Sequence, residues 1–99
     1  MLILKGVEMR KRYRVTIHGR VQGVMFRHNA AKMAEKSDVK GWVRNNPDGT
    51  VEAVFEGEDA DLEKVISWCR KGTIGSKIDR VDVREEKFTG EFDDFEITT

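Results

Sequence analysis

Cysteine and proline are almost absent from this sequence, and no long apolar run occurs in it. The single cysteine excludes an intrachain disulfide framework and a cysteine-rich metal site, and it is typical of a reducing cytoplasm. The apolar run near the N-terminus, Leu2-Ile3-Leu4, is too short for a signal peptide or a membrane span. Basic and acidic residues number 18 each, so a formal net charge of zero gives no reason to expect a nucleic-acid or membrane partner.

The length of 99 residues fits a single domain. We predict a flexible N-terminal extension over residues 1–10 and one domain over residues 11–99, and we expect a monomer. Gln22 is the only glutamine, whereas lysine, arginine and glutamate are plentiful. That balance is typical of heat-adapted proteins, in which surface ion pairs replace thermolabile amides.

Two hydrophobic periods alternate along the chain. A period of two predicts strands over 14–18, 39–44, 51–55, 78–84 and 92–97, and a period of 3.6 predicts helices over 26–36 and 59–71, the second with Asp59 as its N-cap. Asn46-Pro47-Asp48-Gly49 predicts a tight turn between the second and third strands. The order predicts an α+β fold, a ferredoxin-like split βαβ sandwich (βαββαβ) with an antiparallel sheet, two helices on one face and a short fifth strand.

One loop could bind a phosphoryl group. The residues Gly19, Arg20, Val21, Gln22, Gly23, Val24 and Met25 lead from the first strand into the first helix. Its glycines allow successive main-chain amides to point into one concavity, where the helix N-terminus also favours an anion. Arg27, in the first helical turn, could place its guanidinium over the same concavity and pair two phosphate oxygens. From composition alone, the loop could equally be a plain connection and Arg27 a solvated surface residue.

The residues missing from this loop limit the chemistry that it could support. Between Gly19 and Arg27 there is no cysteine, serine, threonine, aspartate or histidine, so no covalent nucleophile is available within the loop. His18 and His28 lie on separate elements with no ligand cluster nearby, and we predict neither a metal nor another cofactor. The attacking group would then be water, which suits a substrate with an easily displaced carboxylate, such as a carboxylic–phosphoric anhydride.

Asn45 is a second candidate catalytic residue. It ends the second predicted strand, and in a ferredoxin-like sheet that end could lie near the end of the first strand. A carboxamide can accept and donate hydrogen bonds and could hold a water in line with a bound phosphorus. The alternative is that Asn45 only stabilises the turn that follows it.

Two segments resemble the signatures of the acylphosphatase family. Gly19-Arg20-Val21-Gln22-Gly23-Val24-Met25-Phe26-Arg27 is similar to Gly-(Arg/Lys)-Val-Gln-Gly-Val-x-Phe-Arg, and Gly41-Trp42-Val43-Arg44-Asn45 followed by Asp48-Gly49-x-Val51-Glu52 is similar to the second signature. The similarity extends from about Lys11 to Ile97. It implies metal-independent hydrolysis of acyl phosphates to a carboxylate and inorganic phosphate. In this family Arg27 would bind the phosphate, the backbone from Gly19 to Met25 would form its cradle, and Asn45 would orient the attacking water.

The sequence departs from the family pattern at the end of the first helix, where Asp38 replaces a glycine. Aspartate tolerates a left-handed conformation less well than glycine, so we expect strain at that corner. The alternative function is a non-catalytic ferredoxin-like binding or regulatory module, although the charge balance argues against RNA. A component of a larger acyl-transfer enzyme is a further alternative, for which 99 residues leave little room.

Overall fold

A computed structural model describes residues 9–99, which form five strands and two helices. In chain order these are β1 (Arg10–Arg20), α1 (Phe26–Lys36), β2 (Lys40–Asn45), β3 (Val51–Glu58), α2 (Asp59–Lys71), β4 (Lys77–Glu86) and β5 (Phe95–Ile97). The extension predicted over residues 1–10 lies, for residues 1–8, outside the described residues. Arg10 already pairs with Glu58, so the sheet begins one residue before the predicted domain boundary.

The sheet has the strand order β4-β1-β3-β2-β5. The pairs β1–β4, β1–β3 and β2–β3 are antiparallel, whereas β5 runs parallel to β2. The predicted ferredoxin-like α+β fold with a mostly antiparallel sheet is confirmed, and the short β5 is its one parallel strand among the described residues. The reason is that β5 follows β4 through a long loop and crosses the sheet to the far edge beside β2, a placement that local periodicity does not encode.

One apolar core lies between the sheet and the two helices. Val15 and Ile17, alternate residues of β1, are fully buried against it, as the period of two predicted. The helices contribute residues at helical spacing, namely Phe26, Ala30 and Ala34 from α1 and Leu62, Val65, Ile66 and Cys69 from α2. Helix α2 starts at Asp59 itself with Glu58 at the N-cap position, so the predicted N-cap was one residue late. The Asp59 carboxylate lies 3.5 Å from Lys11 Nζ instead.

The opposite face of the sheet is covered by paired charges. Glu52 accepts hydrogen bonds from Arg14 (2.6 Å) and Arg44 (2.9 Å), and Glu86 accepts from Arg14 (2.8 Å) and Arg12 (3.1 Å). Hydrogen bonding from Arg14 lowers the pKa of Glu86. Glu52 loses solvation through burial, but its bonds to the two arginines outweigh that loss and lower its pKa. This face of the sheet therefore has a connected ion-pair network.

The strand register brings two segments that are distant in sequence to the same end of the sheet, where β1 and β2 finish. Val51, the first residue of β3, is paired with Ile17 near the end of β1 and with Asn45 at the end of β2. Because β1 and β2 are both antiparallel to β3, their C-terminal ends lie at the same end of the sheet, one on each side of the start of β3. The loop after β1 and residue Asn45 therefore both lie at this end of the sheet.

Candidate active site

The loop between β1 and α1 is fixed at both ends. Gly19 and Arg20, predicted to belong to this loop, are the last residues of β1 and pair with Ile78 and Lys77, so the loop begins at Val21. Gly19 has a φ of 132°, and a Cβ there would collide with the carbonyl oxygen of Lys77. The strand ladder thus needs a glycine at this point because β4 passes too close for any side chain. Val21, the first residue of the loop, and Phe26, the first residue of α1, are both buried in the apolar core and anchor the loop at its two ends.

The backbone curls as it enters α1. Gly23 has a φ of 75°, and Met25, the N-cap residue, lies in the left-handed region at φ 63° and ψ 20°. For a residue other than glycine that conformation costs about 1–2 kcal/mol. Within residues 9–99, none of the main-chain amides from Gln22 to His28 donates a hydrogen bond to another protein atom. The uncapped amides and the positive end of the helix dipole together favour an anion at this segment.

Arg27 faces a cavity at this N-terminus. The cavity, of about 250 Å³, is lined by Val21, Gly23, Met25, Phe26, Arg27, His28 and Ile97. Arg27 is half-buried, and it forms neither an ion pair nor a hydrogen bond with any residue in the described part of the chain. By contrast, most arginines of the sheet are paired with carboxylates, namely Arg12, Arg14, Arg44, Arg80 and Arg84. An arginine left without an acidic partner beside free amides can bind an incoming dianion without first breaking an ion pair.

The cavity wall contains no hydroxyl, thiol or carboxylate side chain from the described residues. Cys69 lies in the core, where burial raises the pKa of its thiol to about 12, so it is protonated at neutral pH and unsuited to nucleophilic attack. His28 is exposed and lines the same cavity. His18 does have a polar partner, with Nε2 3.0 Å from Asp82 Oδ2.

Asn45 ends β2 at the same edge of the sheet as the loop. Its Oδ1 atom is buried and accepts no hydrogen bond from the described residues. The turn after it is stabilised by other groups, because Asn46 Nδ2 donates to Thr50 Oγ1 (3.0 Å) and the Thr50 amide donates to Asp48 Oδ1 (2.9 Å). An unsatisfied buried acceptor is costly, so the free Oδ1 favours a ligand role over the structural one.

Gln22 links the loop to this turn. Its Nε2 atom donates to the carbonyl oxygens of Asn46 (2.8 Å) and Thr50 (2.9 Å). Those carbonyls flank the turn that follows Asn45, so one side chain fixes the distance between the two candidate regions. The sequence assigned Gln22 to the loop only through its backbone. Its side-chain role could not be predicted because nothing in the local pattern specifies which hairpin the carboxamide reaches.

We expect Gln22→Met to lower both stability and turnover. Loss of two hydrogen bonds, each contributing about 0.5–1.5 kcal/mol, reduces the free energy of unfolding. Because Asn45 is then free to shift relative to the loop, kcat should fall by about tenfold or more on the scale of small misplacements. Chemical denaturation and steady-state kinetics measure the two effects.

The matched control is Thr89→Val. It removes a hydroxyl that bonds Glu56 at the other end of β3 and should lower stability with no change in kcat. A Gln22→Met protein with normal kcat would show that the link has no part in positioning the site.

Comparison with known proteins identifies the family. The acylphosphatase family model matches residues 13–97. This chain belongs to the acylphosphatase family. It is 51% identical over 89 residues to the acylphosphatase of Syntrophus aciditrophicus. The aligned region covers 90% of this chain and 93% of that protein.

Solved acylphosphatases share the fold of this chain. The crystal structure of acylphosphatase from Bacillus subtilis superposes with a TM-score of 0.87 at 34% identity, covering 90% of this chain and 99% of that one. The structure of an acylphosphatase from Coxiella burnetii superposes with a TM-score of 0.88 at 30% identity, covering 98% of this chain and 100% of that one. The resemblance stated from the two signatures is confirmed, and these matches favour an enzyme over the non-catalytic module.

This acylphosphatase also shows the expected departure at the end of α1. Asp38 has a φ of 58° and therefore adopts the left-handed conformation that a glycine would occupy without strain. Neither α1 nor α2, the helices in the described part of the chain, has the length and apolar character of a membrane span.

Proposed function

We propose that this acylphosphatase hydrolyses acyl phosphates with the amides of Gln22 to His28 and the Arg27 guanidinium holding the phosphoryl group. The observation that carries this proposal is that amides and an arginine without partners among residues 9–99 lie together at one cavity. Backbone donors and a guanidinium aimed at the same position can bind a phosphate and stabilise the charge that develops on its oxygens in the transition state. Gly19 and Arg20 contribute by directing the chain into the loop, and Val21 and Val24 by packing it on the core.

In the proposed reaction, a water molecule held by Asn45 attacks phosphorus. The new P–O bond forms as the bond from phosphorus to the acyl oxygen breaks, and the carboxylate leaves with that electron pair. One proton of the water passes to a phosphate oxygen, so the products are a carboxylate and dihydrogen phosphate. Asn45 Oδ1, a buried acceptor, would accept a hydrogen bond from that water and fix its direction.

We also propose that the reaction needs no metal ion and no other cofactor, because the amides and Arg27 supply the charge that the phosphoryl group requires. The ion-pair network on the outer face of the sheet supports a heat-adapted protein. The single cysteine supports a reducing, cytoplasmic setting, and the paired charges of the outer face support a monomer that binds neither nucleic acid nor membrane.

The test of this function is phosphate release from benzoyl phosphate by the purified protein in excess EDTA. We expect turnover that EDTA leaves unchanged and that inorganic phosphate inhibits competitively. Phenyl phosphate, a monoester with a poorer leaving group, is the control substrate and should be hydrolysed far more slowly. Activity that EDTA abolishes, or equal rates on both substrates, would contradict the proposal.

A further inference from the structure

Two exposed apolar side chains face the cavity that contains Arg27. Met25 is 62% exposed and Ile97 is 46% exposed, and both lie in the cavity wall. Single exposed apolar residues are ordinary on protein surfaces. Met25 and Ile97 are not such isolated residues, because both lie beside the proposed phosphate cradle. A substrate with its phosphoryl group in that cradle would extend its acyl group past the wall that these two side chains form.

Once the phosphoryl group is bound, the rest of the wall is mainly apolar. The amides and Arg27 are engaged with the phosphate, and no carboxylate or hydroxyl side chain of the described residues lines the cavity. His28 is the one remaining ionisable side chain there. An apolar acyl group would therefore cover Met25 and Ile97 and remove apolar surface from water, which is favourable in proportion to the area covered.

Met25 has a strained backbone conformation. The φ of 63° suits glycine, yet a long, flexible and polarisable side chain is found there at the mouth of the cavity. Backbone strain of this kind persists where the surrounding structure enforces it, and it occurs most often at active sites and ligand-binding sites.

Ile97 is held firmly on the other side of the cavity. It lies in β5 opposite Val43 of β2, and the amide of Thr98 donates to the Val43 carbonyl (2.8 Å). The loop before β5 is fixed by Glu56, whose buried carboxylate accepts hydrogen bonds from the amides of Thr89 (2.9 Å) and Gly90 (3.1 Å). A binding residue on such a strand is held more rigidly than one on a mobile loop.

We propose that Met25 and Ile97 contact the acyl group, and that the substrates are acyl phosphates with an uncharged, apolar acyl chain. This inference rests on the proposed function, since it assumes that the cradle holds the phosphoryl group. It concerns specificity only, because neither side chain has a role in attack on phosphorus.

The test compares substrates that have matched leaving groups. Acetic and hexanoic acids are nearly equal in acidity, so acetyl and hexanoyl phosphates differ in apolar length and not in intrinsic reactivity. Succinyl phosphate adds a terminal carboxylate to a chain of intermediate length. We expect kcat/KM for the wild-type protein to be highest for hexanoyl phosphate and lowest for succinyl phosphate.

Two substitutions test the residues. Met25→Gln keeps the side-chain length, and Ile97→Thr keeps the β-branch. Each should lower the hexanoyl-to-acetyl ratio of kcat/KM by about fourfold for each methylene group of the acyl chain that the substitution leaves exposed to water. Ile74→Thr is the control, since Ile74 is 97% exposed outside the cavity wall and should leave the ratio unchanged.

The outcomes separate this inference from the function on which it rests. A ratio that neither substitution changes, or one that Ile74→Thr changes equally, would overturn the proposed role of Met25 and Ile97. A preference for succinyl phosphate would overturn it in favour of recognition by His28. If the wild-type protein hydrolyses none of the three acyl phosphates, the proposed function itself fails, and this inference fails with it.

Discussion

Arg27→Ala is expected to lower kcat/KM for benzoyl phosphate by roughly 10³–10⁵-fold, the range seen when a transition-state arginine is removed from phosphoryl-transfer enzymes. The guanidinium provides both binding and charge neutralisation, so the inhibition constant for inorganic phosphate should rise as well. Its lack of any partner in residues 9–99 means that the substitution breaks no ion pair, and the melting temperature should stay unchanged. Steady-state kinetics and thermal denaturation measure the two effects separately.

Two further variants make this result specific to the geometry of Arg27. Arg27→Lys keeps the charge but not the planar fork, so it should recover little of the lost activity. Arg70→Ala removes one positive charge from an exposed position on α2. It should change neither kcat/KM for benzoyl phosphate nor the inhibition constant for inorganic phosphate. An inhibition constant for phosphate in Arg27→Ala equal to that of the wild-type protein would show that Arg27 is not part of the phosphate site.

Asn45→Ala is expected to lower kcat by roughly 10²–10³-fold while KM changes little, the magnitude associated with loss of one orienting group. The reason is that a water without a fixed direction reaches the in-line position rarely, whereas the phosphoryl group is still held by the amides and Arg27. Removing the side chain also removes a buried acceptor that has no partner in the described structure, so stability should be equal or slightly higher.

Asn46→Ala is the matched control for that prediction. Asn46 is the neighbouring asparagine, and its Nδ2 atom bonds Thr50 Oγ1 (3.0 Å) within the turn. Its loss should cost about 0.5–1.5 kcal/mol of stability and leave kcat close to that of the wild-type protein. An Asn45→Ala protein with a raised KM and normal kcat would show that Asn45 binds substrate rather than water.

The elements of this fold could be predicted because their periods are local. The core residues of β1 occur at every second position and those of α1 and α2 occur at helical spacing, as the two periods predicted. Two details depended on longer-range pairing. Strand β1 extends to Arg20 because β4 supplies partners for Gly19 and Arg20, and β5 pairs in parallel because the chain after Glu86 crosses to the far edge of the sheet.

The candidate site was predictable where its chemistry is carried by neighbouring residues. The loop, the helix N-terminus and Arg27 are adjacent in sequence, so the proposed cradle could be inferred from the local pattern alone. Three features required the tertiary structure. They are the link from Gln22 to the turn, the place of His28 in the cavity wall, and the contribution of Ile97 from a strand far from Arg27 in sequence.

The most direct test of the phosphate cradle is a titration of ¹⁵N-labelled protein with inorganic phosphate, followed through its amide chemical shifts. We expect saturable shifts concentrated in the amides from Gln22 to His28 and in the Arg27 Nε–H group, and their loss in Arg27→Ala at the same phosphate concentrations. Shifts that cluster at another surface, with the amides of Gln22 to His28 unmoved, would show that phosphate binds elsewhere and that this loop is not its cradle.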